Sequence, residues 1–249
     1  MNARTLEFAI FRYDPRQPDK PARTQHYRLP EQPGMTIFSA LKQLQAQQDS
    51  SLRFDFVCRA GVCGSCAMVI NGRPTLACKT LTTSSDSGRF TLMPLPGFEL
   101  IADLAVDTGR FMRSLSQRLE AWLHPLVHAR SIDEVEQPMD PQAAALVYDA
   151  DRCIECGCCI AACASAQMRS TFIGAVGLNK IARFALDERD CRGPEDFYHI
   201  LASADGIFGC MTLLGCADTC PKQLPHQMQI GYLRRKLVLH SERIATRTV

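Results

Sequence analysis

Two cysteine runs in this chain share one spacing, and the second run is missing a cysteine. The first reads Cys153-x2-Cys156-x2-Cys159-x3-Cys163, and the second Cys210-x2-Leu213-x2-Cys216-x3-Cys220-Pro221. Paired runs of this kind hold two iron–sulfur clusters by exchange, each giving three thiolates to its own cluster and its fourth to the other. Segments some fifty residues apart must then fold onto each other. The exchange assigns Cys153, Cys156, Cys159 and Cys220 to a [4Fe–4S] cluster. It leaves Cys163, Cys210 and Cys216 for the second cluster. Leu213 has no atom that binds iron, so that cluster is expected to be [3Fe–4S].

A third site lies upstream. Cys58-x4-Cys63-x2-Cys66-x11-Cys78 has the plant-type [2Fe–2S] spacing. The intervening Arg59-Ala60-Gly61-Val62 and Gly64-Ser65 are mostly small. Glycine permits the tight turns and close approach that wrapping a cluster requires. Backbone N–H groups in such a loop are placed to offset the negative charge of the sulfurs. Of the two cysteines left over, Cys158 is expected to be a small apolar filler beside its cluster. Cys191, in a polar stretch, is expected to be a loop thiol.

Composition narrows the alternatives. Thirteen cysteines in 249 residues invite a disulfide reading. That reading expects a short chain behind a signal peptide, and residues 1–15 have no apolar core of that kind. Zinc also uses C-x2-C pairs, but as four ligands in two pairs, which does not predict C-x2-C-x2-C-x3-C with a partner run ending in Cys-Pro. The formal net charge of +2 argues against a nucleic-acid partner. The longest apolar stretch, residues 207–217, is too short to cross a bilayer.

Loose alternation over residues 5–13 and 24–29 reads as two strands. Thr36 is placed to cap a helix carrying Ile37, Leu41 and Leu44. Asn71-Gly72 between residues 67–70 and 73–77 is a strong hairpin signal, and residues 89–93 fit a last strand. This order predicts a small β-grasp unit with the cluster loop after its helix. Leu100, Leu104, Phe111, Leu115, Leu119 and Leu123 recur at helical spacing and read as one or two helices. Trp122, His124 and His128 are expected to serve packing and a basic helix end, not ligation. Residues 131–141 read as a linker or surface loop. Helices are expected over residues 154–163, 178–186, 194–202 and 227–240. The basic segment 232–238 is expected to be a solvated helix face, with anionic lipid or a partner subunit as the alternative. The expected class is α+β, with a β-grasp [2Fe–2S] ferredoxin domain over 1–105. An all-α, bacterial-ferredoxin-like domain with two clusters follows over 106–249.

With these motifs in place the chain resembles the iron–sulfur subunits of the succinate dehydrogenase and fumarate reductase family. The resemblance rests on Phe11-Arg12-Tyr13-Asp14-Pro15, on the cluster loop 58–66, and on Pro94-Leu95-Pro96-Gly97-Phe98 with residues 103–107. It also rests on both cysteine runs, and so covers nearly the whole chain. Residues 153–159 and 208–214 look most like the menaquinol:fumarate reductases with a di-haem cytochrome b anchor. The resemblance implies an electron-transfer subunit that relays single electrons between a flavoprotein subunit and a membrane cytochrome b subunit. FAD and haem b would sit on those partners, and menaquinone would be reached through the anchor. It also implies a place at the cytoplasmic face of the inner membrane. One departure is Cys163-Ala164, where many relatives have Cys-Pro. Residues 164–168 also lack the tryptophan that borders a quinone pocket in some relatives. The resemblance therefore implies that quinone is handled in the membrane subunit.

Other readings fit less well. A soluble multi-cluster ferredoxin would be smaller and acidic. An iron–sulfur subunit of the glycolate oxidase kind would have two complete runs and no plant-type loop. The chain has no G-x-G-x-x-G between a strand and a helix, so flavin chemistry is expected on another chain. The same wire serves succinate dehydrogenase running in the opposite direction.

Leu213→Cys restores the missing thiolate. It is expected to convert the [3Fe–4S] EPR signal to [4Fe–4S] and to lower that site's potential. Every 59 mV of fall shifts the electron tenfold off the site. A full-intensity [3Fe–4S] signal in the variant, with iron in excess, would mean that the two runs pair differently.

Overall fold

The computed structural model describes residues 4–125 and 139–247, with side chains left aside at 194, 195, 197, 198 and 240–247. The chain forms two compact units that are interleaved in sequence. The first comprises residues 1–111, 154–162 and 219–221, and the second 112–153, 163–218 and 222–249.

The first unit is built on a five-stranded sheet. Its strands are β1 (Thr5–Arg12), β2 (Arg23–Pro30), β3 (Ala67–Ile70), β4 (Arg73–Leu76) and β5 (Arg89–Met93), in the order β2-β1-β5-β3-β4. Neighbours are antiparallel except β1 and β5, which run parallel from Glu7↔Arg89 to Ile10↔Leu92. On β1, Leu6, Phe8 and Ile10 alternate inward, and all are fully buried. Burying each contributes roughly 1.5–3 kcal/mol. Phe8 stacks on Phe90 with ring centroids 5.4 Å apart. Helix α1 (Ile37–Gln47) contributes Ile37, Ala40, Leu41 and Leu44 to the same core.

Thr36 caps α1 as its sequence position foretold. Its hydroxyl accepts from Ser39 N at 3.1 Å, and Ser39 Oγ accepts from Thr36 N at 2.9 Å. Two further N-terminal N–H groups of α1 are satisfied by tertiary contact. Ile37 N donates to Thr80 O and Phe38 N to Ala77 O, which holds the helix start against the residues flanking Cys78.

Residues 99–107 depart from the helical expectation. They form a hairpin of β6 (Glu99–Ala102) and β7 (Ala105–Asp107), and only then does α2 (Thr108–Arg118) begin. The reason is tertiary. Asp103 turns the chain at φ +44°. Its carboxylate accepts from Tyr13 N and Arg53 N, both at 2.8 Å, and pairs with Arg12 Nε at 3.1 Å. Arg12, 5 % exposed, also bonds Tyr27, Asp49 and Ser51. Leucines four apart suit a helix, but here they also suit a hairpin pinned at its turn. Helix α4 (Cys158–Ala161) completes this unit. It replaces the longer helix expected over 154–163, because Glu155 and Gly157 take left-handed backbone at φ +52° and +82°.

The second unit is helical, with α3 (Pro141–Asp151), α5 (Ala164–Met168), α6 (Gly174–Ala185), α7 (Pro194–Leu201), α8 (Gly215–Asp218) and α9 (His226–Arg247). Helix α3 begins inside the expected 131–141 loop. Asp140 caps it, accepting from Gln142 N and Ala143 N at 2.9 Å, with Pro141 in its first turn. Residues 131–138 and His128 lie outside the described residues. Trp122 is half exposed and stacks on His124, so it lies outside the core. A buried amide chain ties three helices: Gln229 to Asn179 Oδ1 at 2.6 Å, and Asn179 to Ala150 O at 3.0 Å. On α9 Leu233 is buried, while Arg234, Arg235 and Lys236 are exposed, as a solvated basic face requires.

Arg12→Ala strands the buried Asp103 carboxylate and is expected to destabilise the first unit by about 3 kcal/mol, read by chemical denaturation. Burial opposes ionisation of Asp49, but hydrogen bonds from Ser51, Tyr27 and Arg12 outweigh it and hold its carboxyl below the usual range. A carboxyl depressed in this way stabilises fully above its unfolded pKa of about 3.9. That contribution is lost as pH falls through the folded value. The difference in melting temperature between wild type and Asp49→Asn should therefore be constant near neutrality and shrink on acidification below about pH 4.

Candidate iron–sulfur sites

Loop 58–66 leads from α1 to β3 and carries three of the four plant-type cysteines. Arg59, Gly61 and Gly64 adopt φ of +57°, +72° and +79°. These reversals turn successive N–H groups toward sulfur. Cys58 Sγ accepts from Ala60 N at 3.4 Å and from Val62 N and Cys63 N at 3.3 Å. Cys63 Sγ accepts from Cys58 N and from the Ser65 hydroxyl, both at 3.4 Å. Donation from Ala60, then Val62 and Cys63, lowers the Cys58 thiol to about 6. Thiolate, the form that binds iron, is thus favoured before any metal arrives.

The fourth cysteine is delivered by the hairpin. Asn71 and Gly72 take φ of +49° and +78°, as a two-residue turn demands. Asn71 is tied to β5 through Thr91 N at 2.7 Å and Arg89 O at 3.2 Å. Pairing Ala67↔Leu76 then returns Ala77 N to Cys66 O at 3.0 Å and sets Cys78 within hydrogen-bonding reach of Cys66. Burial pushes the Cys66 thiol up to about 12, which metal binding would reverse.

Cys156, Cys159 and Cys220 also lie in the first unit, whereas Cys153 closes a segment of the second. Cys158 has no exposed surface and packs in the core of the first unit, as expected of a filler. Its thiol donates to Cys156, which brings Cys156 down to about 7 against the opposing effect of burial. That donation, then burial and the nearby Cys156, Cys159 and Cys220, push Cys158 itself far up. The Thr219 hydroxyl donates to Cys158 O at 3.4 Å and so fastens the second run to the first.

In the second unit Cys163, Cys210 and Cys216 come together. Burial, then the charges of Cys163 and Cys210, raise the Cys216 thiol to about 11. Leu213 sits between Thr212 and Leu214, at φ +57° and +60°, and is 70 % exposed. Met211 N donates to the buried Ser165 hydroxyl at 3.3 Å, which joins the two runs here as well. Arg234 from α9 donates to Cys210 O and Thr212 Oγ1. Sequence reasoning passed over Ser65, Ser165 and Arg234. Only the position of Ser65 between two of the plant-type cysteines hinted at a role. Cys191 is exposed in its loop.

No disulfide joins any of the thirteen cysteines. Among the described residues no three Cys, His, Asp or Glu side chains form a shell around one ion. The candidate donor set is all-sulfur, and in the 58–66 loop it is supplied with backbone N–H groups. It fits iron–sulfur clusters, whose potentials respond to hydrogen bonds at the sulfurs and to exposure.

These features define a multi-cluster iron–sulfur electron carrier. Residues 7–113 match the 2Fe-2S iron-sulfur cluster binding domain, and residues 149–224 the 4Fe-4S dicluster domain. The fumarate reductase iron-sulfur subunit of Wolinella succinogenes is 51% identical over 94% of this chain and 98% of its own. A mitochondrial succinate dehydrogenase [ubiquinone] iron-sulfur subunit of Oryza sativa subsp. japonica is 30% identical over 92% and 73%. Among solved structures, a chain of the Mycobacterium smegmatis Sdh1 complex in the apo form superposes with a TM-score of 0.79 at 22% identity. It covers 98% of this chain and 97% of that one, which shows the fold. The chain belongs to the family of iron–sulfur subunits of fumarate reductases and succinate dehydrogenases, and its work is electron transfer within an oxidoreductase complex.

Cys63→Ala removes one of the four cysteines expected to hold [2Fe–2S] and the acceptor of two hydrogen bonds. It is expected to abolish the reduced [2Fe–2S] EPR signal while the oxidised signal of the downstream sites persists. An unchanged [2Fe–2S] spectrum would mean that the ligand set is wrong.

Proposed function

We propose that this chain is the electron relay of a membrane-bound quinol:fumarate oxidoreductase. The 51% identity to a fumarate reductase subunit, against 30% to a succinate dehydrogenase subunit, carries the choice of direction. Cys58, Cys63, Cys66 and Cys78 hold [2Fe–2S]. Cys153, Cys156, Cys159 and Cys220 hold [4Fe–4S], and Cys163, Cys210 and Cys216 hold [3Fe–4S]. These clusters supply one-electron steps, whereas fumarate reduction takes two electrons. This chain's residues bind the clusters, shield their sulfurs and donate hydrogen bonds to them.

Two exposed surfaces support separate partners. Beside loop 58–66 a cleft of about 270 Å³ is lined by Phe56, Val57, Ser65, Ile101 and Thr108. Val57 and Val62 are also exposed there, which suits a flavoprotein subunit carrying FAD. In the second unit Met168, Phe208, Met211 and Leu213 are exposed beside or within the segments bearing Cys163 and Cys210. Exposed apolar side chains of this size suit an interaction site, here for a membrane cytochrome b anchor carrying haem b and reached by menaquinone. No described helix is long and apolar enough to cross a membrane; in this reading the anchor subunit holds the chain at the cytoplasmic face of the inner membrane.

Purification from membranes should yield this chain with a flavoprotein and a haem protein, and about nine irons per chain. Oxidised [3Fe–4S] and reduced [2Fe–2S] EPR signals are expected. Quinol-driven fumarate reduction should exceed succinate-driven quinone reduction. The reverse ratio would favour succinate dehydrogenase, and zinc in place of iron would overturn both.

A further inference from the structure

Gly64 adopts φ +79°, and a Cβ built on it would lie 2.8 Å from Cys156 Cβ, 2.9 Å from Cys156 Cα and 3.0 Å from Ile154 O. The loop that carries Cys63 and Cys66 therefore rests on the backbone that carries Cys156, with no side chain between. Gly61, in the same loop at φ +72°, is a natural contrast. A Cβ there would meet only the flexible side chain of Lys79. Both positions need left-handed backbone, but only Gly64 also needs the space.

The Cys156 segment has little room to yield. Next to it, a Cβ on Gly157 would lie 2.7 Å from the Phe98 ring. Cys158 then enters the core fully buried, and its carbonyl accepts from Thr219. A methyl group at position 64 would consequently displace the [2Fe–2S] loop rather than the [4Fe–4S] loop.

We propose that Gly64 is a positioning residue that sets the approach of the [2Fe–2S] and [4Fe–4S] sites, and that electrons cross between them at the Gly64–Cys156 contact. The proposal rests on the ligand assignment above. One electron leaves one site and enters the other, so one is oxidised and the other reduced by the same unit. No bond forms or breaks and no proton moves. Exchange of this kind weakens steeply as a gap opens, so a residue that sets the approach of the two loops bears on its rate.

The test uses the intact complex and the power saturation of the reduced [2Fe–2S] EPR signal, recorded with the [4Fe–4S] site oxidised and then reduced. In the wild type, reducing the neighbour should speed relaxation. Gly34→Ala, at a left-handed glycine outside the cysteine loops with open space around it, should retain that effect. Gly64→Ala should lose it while keeping its [2Fe–2S] intensity, and quinol-to-fumarate turnover should fall while dye-linked flavoprotein activity persists. Should Gly64→Ala not assemble the cluster, Gly64→Asn takes its place, since asparagine tolerates left-handed backbone best among non-glycine residues. Wild-type relaxation that ignores the [4Fe–4S] state, or a position-64 variant that relaxes like wild type, overturns the proposal. A wild type lacking either cluster signal instead overturns the ligand assignment.

Discussion

Cys158 and Ala161 are buried in the same apolar core as the five-stranded sheet, and the arrangement of the first unit depends on that packing. It draws residues 154–162 out of the sequence neighbourhood of the helical segments and seats them with the β-grasp strands. Cys156 and Cys159 are carried along on either side of the buried thiol. Thr219, bonded to Cys158 O, brings Cys220. A cysteine outside the proposed ligand set thus positions three that are proposed to ligate iron, by ordinary apolar burial.

The thiol chemistry follows from the backbone. A cluster ligand must be a thiolate, and a thiolate in a protein interior needs donors. The loop 58–66 provides them through residues at positive φ, which turn several N–H groups onto one sulfur. Cys66, at the start of the hairpin, is buried, and its thiol responds in the opposite direction. Cys58 is lowered and Cys66 raised within one proposed site. Bound metal charge would offset the burial of Cys66.

Polar contacts of modest individual strength keep these loops in register. Arg12 and Asp103 anchor the β6–β7 turn to β1, and Asn71 anchors the β3–β4 turn to β5. Ser165 and Arg234 do the same for the loop around Cys210. None of these side chains touches a proposed cluster sulfur. Each satisfies backbone groups or a buried charge that would otherwise oppose the loop's conformation.

Spacing alone gave rise to the expectation of three groups of cysteines and of a cluster type for each, and it made the β-grasp order legible, because ligand number and strand alternation are written in consecutive residues. The capped helix at Thr36 and the Asn71-Gly72 hairpin were legible for the same reason: both are local hydrogen-bond patterns. Tertiary structure decided the rest. Leu100 and Leu104 fit helix and hairpin equally until Asp103 meets Arg12. Residues 154–157 read as helix until Glu155 and Gly157 are seen in left-handed backbone. The helix at Pro141–Asp151 stayed hidden behind prolines and acidic residues that also suit a loop. That Gly64 rests on Cys156 has no signature in sequence. A glycine's need for space is set by what folds against it, and here that is a segment some ninety residues away.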